Sequence, residues 1–318
     1  MHAFLAGQIL HLYVNIKVLF LEKILFGKSF IAVHCKKLHS DAKNSQGDWK
    51  ITNPSQTSQR TKQIATLTIF TALYIALRFI PYSIIIGTSG GTLNLSDFLA
   101  PIIGILLGPY LGGLSVVIGN FAAIGMGKPM MFYGLDFLPD LMAVLATGFL
   151  TQQKRSRWAV VVALNAALLA IFLVNPLTSV FVFSFPFAWL HIVAFVVLLT
   201  PLSFMAAKWI YAINYRKVAA GIAVLSFIGV MMQHLAGSIL FEVVLGQLVN
   251  IFPAYTYPTT WSIVFFLYPV ERTFLVISAV LVGTPLIYLF SKGALPKSKV
   301  EPLNREQDKT KSTQEKLP

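Results

Sequence analysis

The chain has 318 residues, 56% of them hydrophobic and only 12% charged, with a mean hydropathy of +0.72. No soluble core needs that much apolar surface, so the composition excludes a soluble domain and fits a polytopic membrane protein. The net charge of +13 does not signal nucleic acid, because the basic residues sit in short clusters between apolar runs, as in cytoplasmic loops, and the single Cys35 excludes a disulfide framework or a Cys-rich metal site.

The first sixty residues differ from the rest. Residues 3–33 are apolar but carry His11, Lys17, Glu22, Lys23 and Lys28, too many for a confident span, and no small-residue cleavage site marks a signal peptide. An amphipathic surface helix or an over-long start of the reading frame fits better. The stretch HCKKLHSDAKNSQGDWKITNPSQTSQR is a polar linker, and the spacing of His34, Cys35 and His39 matches no common metal site. The expected division is therefore an extension over 1–60, a transmembrane helical domain over 61–292 and a polar basic tail over 293–318.

From Lys62 onward, apolar runs alternate with short polar breaks. Spans are expected near 62–80, 97–108, 110–126, 134–152, 158–175, 187–206, 218–241 and 268–290, giving an all-α bundle of about eight helices. The two short ones meet at LLGPYLGG, where Gly108 and Pro109 make a tight break. If Arg60 and Lys62 are cytoplasmic, the Gly108-Pro109 turn, the cluster Lys154, Arg155 and Arg157, the cluster Lys208, Arg216 and Lys217, and the tail all fall inside. This arrangement places a multi-pass chain in the cell membrane with both termini cytoplasmic.

The opposite side collects the polar anomalies. Asp97, Asp136, Asp140, Glu242 and Glu271 are the only acids between residues 60 and 300, and each falls near the outer end of a span. An ionisable group at such depth tends to face a water-filled cavity or a partner, so the group points to a pocket open to the exterior. The bland alternative for each acid is a helix-end residue, with Asp97 capping a helix after the Gly-rich stretch GTSGGTLNLSD.

The stretch TLNLSDFLAPIIGILLGPYLGGLSVVIGN, residues 92–120, resembles the substrate-binding (S) components of energy-coupling factor (ECF) transporters, which serve vitamins and related micronutrients. The features that carry the resemblance are Leu95 and Asp97, then Gly108 and Pro109, then Gly112, Gly113 and Asn120. In TALYIALRF, Ala72 and Ala76 are similar to the small-residue motif with which S components meet the coupling helices of their transmembrane partner. Small residues four apart leave a flat stripe that another helix can approach closely; the alternative is packing inside the bundle. S components have six helices, so the resemblance implies a six-helix core with residues 158–206 as a peripheral hairpin.

The resemblance also implies the site. Loops 87–97 and 127–136 would be lids, and spans starting near 134, 218 and 268 would be walls. The glycines let the first loop take positive φ and bring backbone close to a ligand, with Asn94 and Asp97 at the mouth. Expected substrate contacts are Asn94, Asp97, Asp136, His234, Glu242, Glu271 and Arg272, with Tyr255, Tyr257 and Trp261 available to stack on a ring. His234 can equally be a bundle histidine, and the three aromatics an interfacial belt. The acids favour a ligand with a cationic or donor part.

No Gly-x-x-x-x-Gly-Lys-Ser/Thr motif is present, since GMGKP around Lys128 lacks both the spacing and the hydroxyl. By resemblance, a transmembrane coupling subunit and two ATPase subunits would supply energy, with no cofactor and no metal. The initial Met-His is similar to metal-specific S components, but the residues after it do not match their first helix. Other classes are a stand-alone secondary transporter, against which no internal repeat is found, and a membrane-embedded enzyme using Asp136 and Asp140 as acid and base, with Pro139 between them.

Overall fold

The computed structural model of the protein describes residues 54–86 and 91–290. Nearly all of the 1–60 extension, with His34, Cys35 and His39, Gly87 and Gly90 of the Gly-rich stretch, and the basic tail lie outside the described residues.

Helix α1 (Pro54–Arg78) is sorted by a four-residue period. Phe70, Tyr74 and Arg78 are buried on one face, whereas Ala72 and Ala76 are exposed on the other beside Ile69 and Leu73. A ribbon follows, with β1 (Pro81–Ile84) antiparallel to β2 (Thr92–Asn94) and an irregularity between Pro81 and Ser83. A second small ribbon pairs β3 (Phe181–Val182) with β4 (Phe185–Pro186). The all-α expectation holds for the bundle and misses these ribbons, of which the β-branched run Ile84 to Ile86 is the only local trace.

The helical run α2 (Ser96–Gly125) folds back on itself at Gly108, which has φ 78° and ψ 179°. Residues nine apart on one helix are separated by about 13 Å, yet a Cβ at Gly112 would come within 3.2 Å of Ile103. The run is thus two antiparallel arms joined at the Gly108-Pro109 turn. Only glycine takes that backbone conformation without cost.

Helix α3 (Leu138–Leu150) is short and almost wholly buried, the hub on which α2 and α7 pack. At Gly148 a Cβ would sit 2.8 Å from Pro109 Cα, so the missing side chain lets α3 touch the turn of α2. The Thr147 hydroxyl lies 3.0 Å from the Pro101 carbonyl and 2.9 Å from the Ala143 carbonyl of its own helix, which ties α3 to the N-terminal arm of α2.

Helix α4 (Arg155–Val174) buries only Val161, Asn165 and Phe172. Helices α5 (Trp189–Leu199) and α6 (Pro201–Trp209) are bent by 75° at Thr200. Pro201 cannot donate to the preceding turn and holds Thr200 extended, which is why the run expected as one helix over 187–206 breaks there. Helix α7 (Tyr215–Leu240) passes into a π-helical turn over Phe241–Leu248. Helix α8 (Tyr257–Leu289) begins well before the expected 268, with Pro258 in its first turn, where a missing N–H costs nothing.

Each expected span coincides with helix, but not each with a full crossing. Among the described residues four helical runs are long and apolar enough to cross a membrane, or five if the bent α5–α6 pair is one. One of the four is the hairpin α2, whose arms reach only about 18 and 24 Å. Three loops expected on one side do meet at one end: Arg157 donates to Tyr110 OH beside the Gly108-Pro109 turn at 3.0 Å, and Gln153 donates to the Ala207 carbonyl.

Candidate functional site

At the opposite end lies a cavity of about 150 Å³, walled by the β1–β2 ribbon, loop 127–136 and the facing ends of α1, α3, α7 and α8. The volume matches a cavity known to accept one benzene-sized ring.

Its polar floor is built from three helices. Arg78 of α1 lies 3.4 Å from Asp140 of α3, and the pair is buried. Tyr74 donates its phenol to the same carboxylate oxygen as Arg78, and Gln233 of α7 donates its amide to the other. Buried charge is tolerable only when paired and hydrogen-bonded, and Asp140 satisfies both conditions through donors from two other helices. The sequence places Tyr74 and Arg78 four apart, so one face of α1 delivers both.

A second pair closes another wall. Arg272 stands 3.4 Å from its neighbour Glu271, which also accepts from Ser83 of β1. Arg272 further approaches Tyr82 OH at 3.4 Å, tying α8 to the ribbon. Burial pushes the Tyr82 phenol well above its ordinary range.

The two segments expected as lids are joined at the rim. Lys128 donates to Asn94 Oδ1 at 2.7 Å and to Thr92 Oγ1 at 3.3 Å, linking loop 127–136 to β2. Partial burial and the Arg78 guanidinium hold the Lys128 ammonium below the usual lysine range. Asp136 accepts from the backbone N–H groups of Met131 at 2.8 Å and Phe132 at 3.2 Å, so its carboxylate shapes its own loop.

The remaining wall is apolar, formed by Ile84 to Ile86, Phe132, Phe241, Trp261 and Val264. Trp261 is backed by Phe187, with ring centroids 5.0 Å apart, and by Phe172 at 5.8 Å. Two guanidinium–carboxylate pairs set against one aromatic wall give the mostly apolar pocket with a few placed polar groups that small-molecule sites share.

Residues 62–215, just under half of the chain, match the family model of the ECF transporter, substrate-specific component. Over these residues the chain is similar to that family. It is 26% identical over 169 residues to an uncharacterized protein of Methanocaldococcus jannaschii, an alignment covering 53% of this chain and 54% of that one. The chain thus spans about half the length of the curated relative it matches. No solved structure matches it. The matched family is a component of transporters. The acid–base reading of Asp136 and Asp140 also lacks geometry, since one carboxylate binds backbone amides and the other is locked in an ion pair.

Of the residues expected to contact substrate, Asn94, Asp97, Asp136, His234, Trp261, Glu271 and Arg272 line the cavity. Glu242, Tyr255 and Tyr257 do not. Glu242 is buried in the π-helical turn and accepts from Thr178 at 2.7 Å. Tyr257 is buried and donates to the Phe241 carbonyl at 3.3 Å, bracing the wall from behind, and Tyr255 is exposed. Glu242 lies in the π-helical turn, whose extra residue per turn shifts which face looks inward, whereas Tyr255 and Tyr257 lie beyond the loop that follows it, at the start of α8.

Sequence reasoning left out Tyr74, Arg78, Gln233 and Lys128. It also left out His191, whose Nε2 lies 2.9 Å from His234 Nδ1. One signal was available, since His191 and His234 are the only histidines beyond residue 60. The hairpin 158–206, expected at the periphery, is largely exposed along α4 yet sends Phe172, Phe187 and His191 into the bundle.

Proposed function

We propose that this chain captures a small, vitamin-like ring compound from the exterior and delivers it as the substrate-binding subunit of an ECF-type importer in the cell membrane. Its eight helical segments would then be membrane segments, with both termini and the basic loop clusters cytoplasmic and the cavity facing outward. The observation that carries the reading is the cavity, with an aromatic wall, two guanidinium–carboxylate pairs and two lid segments latched by Lys128.

The energy would come from a transmembrane coupling subunit and two ATPases. Ala72 and Ala76 support that partnership, because they face away from the bundle and leave a flat stripe on α1 where another helix can approach. The same helix carries Tyr74 and Arg78 into the cavity floor. A shift of α1 on docking would therefore be felt by the substrate, which gives a direct route from partner contact to release.

Native mass spectrometry of the full chain purified in mild detergent tests the binding half. A small molecule released from wild type and lost from an Arg272→Met variant that stays monodisperse supports the reading. A ligand retained by that variant, or none after purification from rich medium, contradicts it.

A further inference from the structure

The cavity has a second polar pole that the transport reading does not use, the histidine pair. His191 of α5 and His234 of α7 lie with ring centroids 5.1 Å apart and planes 16° apart, and Nε2 of the first is 2.9 Å from Nδ1 of the second. That separation is the hydrogen-bond length plus two imidazole radii, so the rings are joined edge to edge in one plane. Tyr268 lies parallel to both, at 5.0 Å from His234 and 5.5 Å from His191, and donates its own hydroxyl to the Phe187 carbonyl at 2.9 Å. The alignment is held from a third helix.

The proton positions follow from what each outer nitrogen touches. His191 Nδ1 is buried with no hydrogen-bond partner. A proton there would be an orphaned donor, which proteins avoid more strongly than an orphaned lone pair. No carboxylate lies within 4.0 Å of either ring among the described residues, so nothing compensates a charge and each ring carries one proton. His191 is then the Nε2–H form and donates to His234 Nδ1, which puts the single proton of His234 on Nε2. His234 lines the cavity and its Nε2 makes no protein hydrogen bond among the described residues.

The other unfilled valences around the cavity agree. Asp140, Glu271 and Asp136 all accept hydrogen bonds from the protein, whereas Arg78 Nε and Arg272 Nε are buried donors without a partner. Gln233 Oε1 is the one acceptor on the cavity wall left in that condition. Among the described residues the fully buried, unpartnered atoms on the wall are thus two donors to one acceptor, and His234 Nε2–H adds a third donor, beside Asp97, whose Oδ1 accepts from Ser96 at 3.4 Å.

We infer that His191 is a positioning residue that fixes His234 as a hydrogen-bond donor, and that the ligand is a single ring bearing carbonyl or ring-nitrogen acceptors rather than a cationic amine. The inference rests on the cavity being the substrate site, but its first test needs no ligand. Long-range proton–nitrogen NMR of the full chain, labelled at histidine nitrogen in detergent, reads the tautomers directly: both rings protonated at Nε2 is expected, and His234 protonated at Nδ1 overturns the inference even if transport partners are found.

Two size-matched probes test the ligand class. Benzamide, which offers a carbonyl acceptor, is expected to bind at least about fivefold tighter than benzylamine, the value of one net hydrogen bond. Equal or tighter binding of benzylamine, or no binding of benzamide, overturns it. His191→Leu is expected to abolish the benzamide preference and His191→Gln, whose amide can still donate to Nδ1, to keep it. A preference lost in both means that His191 does not act through this bond. Should His191→Leu fail to fold, wild type and His191→Gln decide the question.

Discussion

Replacing Asp140 by Asn removes the only carboxylate within 4.0 Å of Arg78 among the described residues while keeping the shape of the side chain. The Arg78 side chain has only 8% of its surface exposed and its Nε has no partner, so the guanidinium would remain buried with only neutral acceptors, Tyr74 OH at 3.3 Å and the new amide oxygen. Breaking a buried pair from one side costs about 3 kcal/mol or more, because the partner charge is left uncompensated. For a domain of this size that corresponds to a fall of roughly 6–12 °C in unfolding temperature. Removing both charges should be far milder, so Arg78→Met with Asp140→Asn should recover at least half of the loss and give a coupling of about 2 kcal/mol. Thermal unfolding of the four proteins in one detergent, followed by tryptophan fluorescence, measures the cycle. An Asp140→Asn protein as stable as wild type, or a double variant worse than either single one, would refute the claim that these two charges form a dry, mutually dependent floor.

Other outcomes follow from the same geometry. Gly148→Ala would drive a Cβ into the backbone of Pro109 and should cost about 2 kcal/mol, while Gly125→Ala, with nothing within 4 Å, should melt like wild type. Gly108→Ala places a side chain at φ 78° and should lose about 1–2 kcal/mol through backbone strain alone, read in the same melts. Lys128→Ala unlatches Asn94 and Thr92 from the facing lid and should speed ligand release with little change in unfolding temperature, measured by stopped-flow chase once the ligand is in hand.

The bundle was legible because its periodicity is strong. Apolar runs and the Gly108-Pro109 break act locally, through helix length and φ, and the structure follows them. The ribbon over the cavity was not, since pairing Pro81 to Ile84 with Thr92 to Asn94 is decided across a loop and not within it. At the site, the acids were found because charge is conspicuous in an apolar chain. What each acid binds depends on contacts 60 to 190 residues away, such as Arg78 with Asp140 and Ser83 with Glu271. Counting acids therefore favoured a ligand with a cationic or donor part, whereas the donors that Asp140, Glu271 and Asp136 already bind within the protein are visible only in three dimensions. Glu242 went astray for a different reason: the π-helical turn over Phe241–Leu248 leaves no mark on the hydrophobic pattern.

The central claim is that this chain works as one subunit of an importer, and co-purification tests it most directly. Tagged wild type and an Ala72→Leu, Ala76→Leu double variant would be extracted from the native membrane in mild detergent and their bound proteins identified by mass spectrometry. Both alanines are exposed, so the variant should melt like wild type. The account predicts that wild type brings down a transmembrane subunit and two ATPases carrying the phosphate-binding Gly-Lys-Ser/Thr loop, and that the variant brings down neither. A well-folded wild type that captures no ATPase, or a variant that captures them equally, would contradict it.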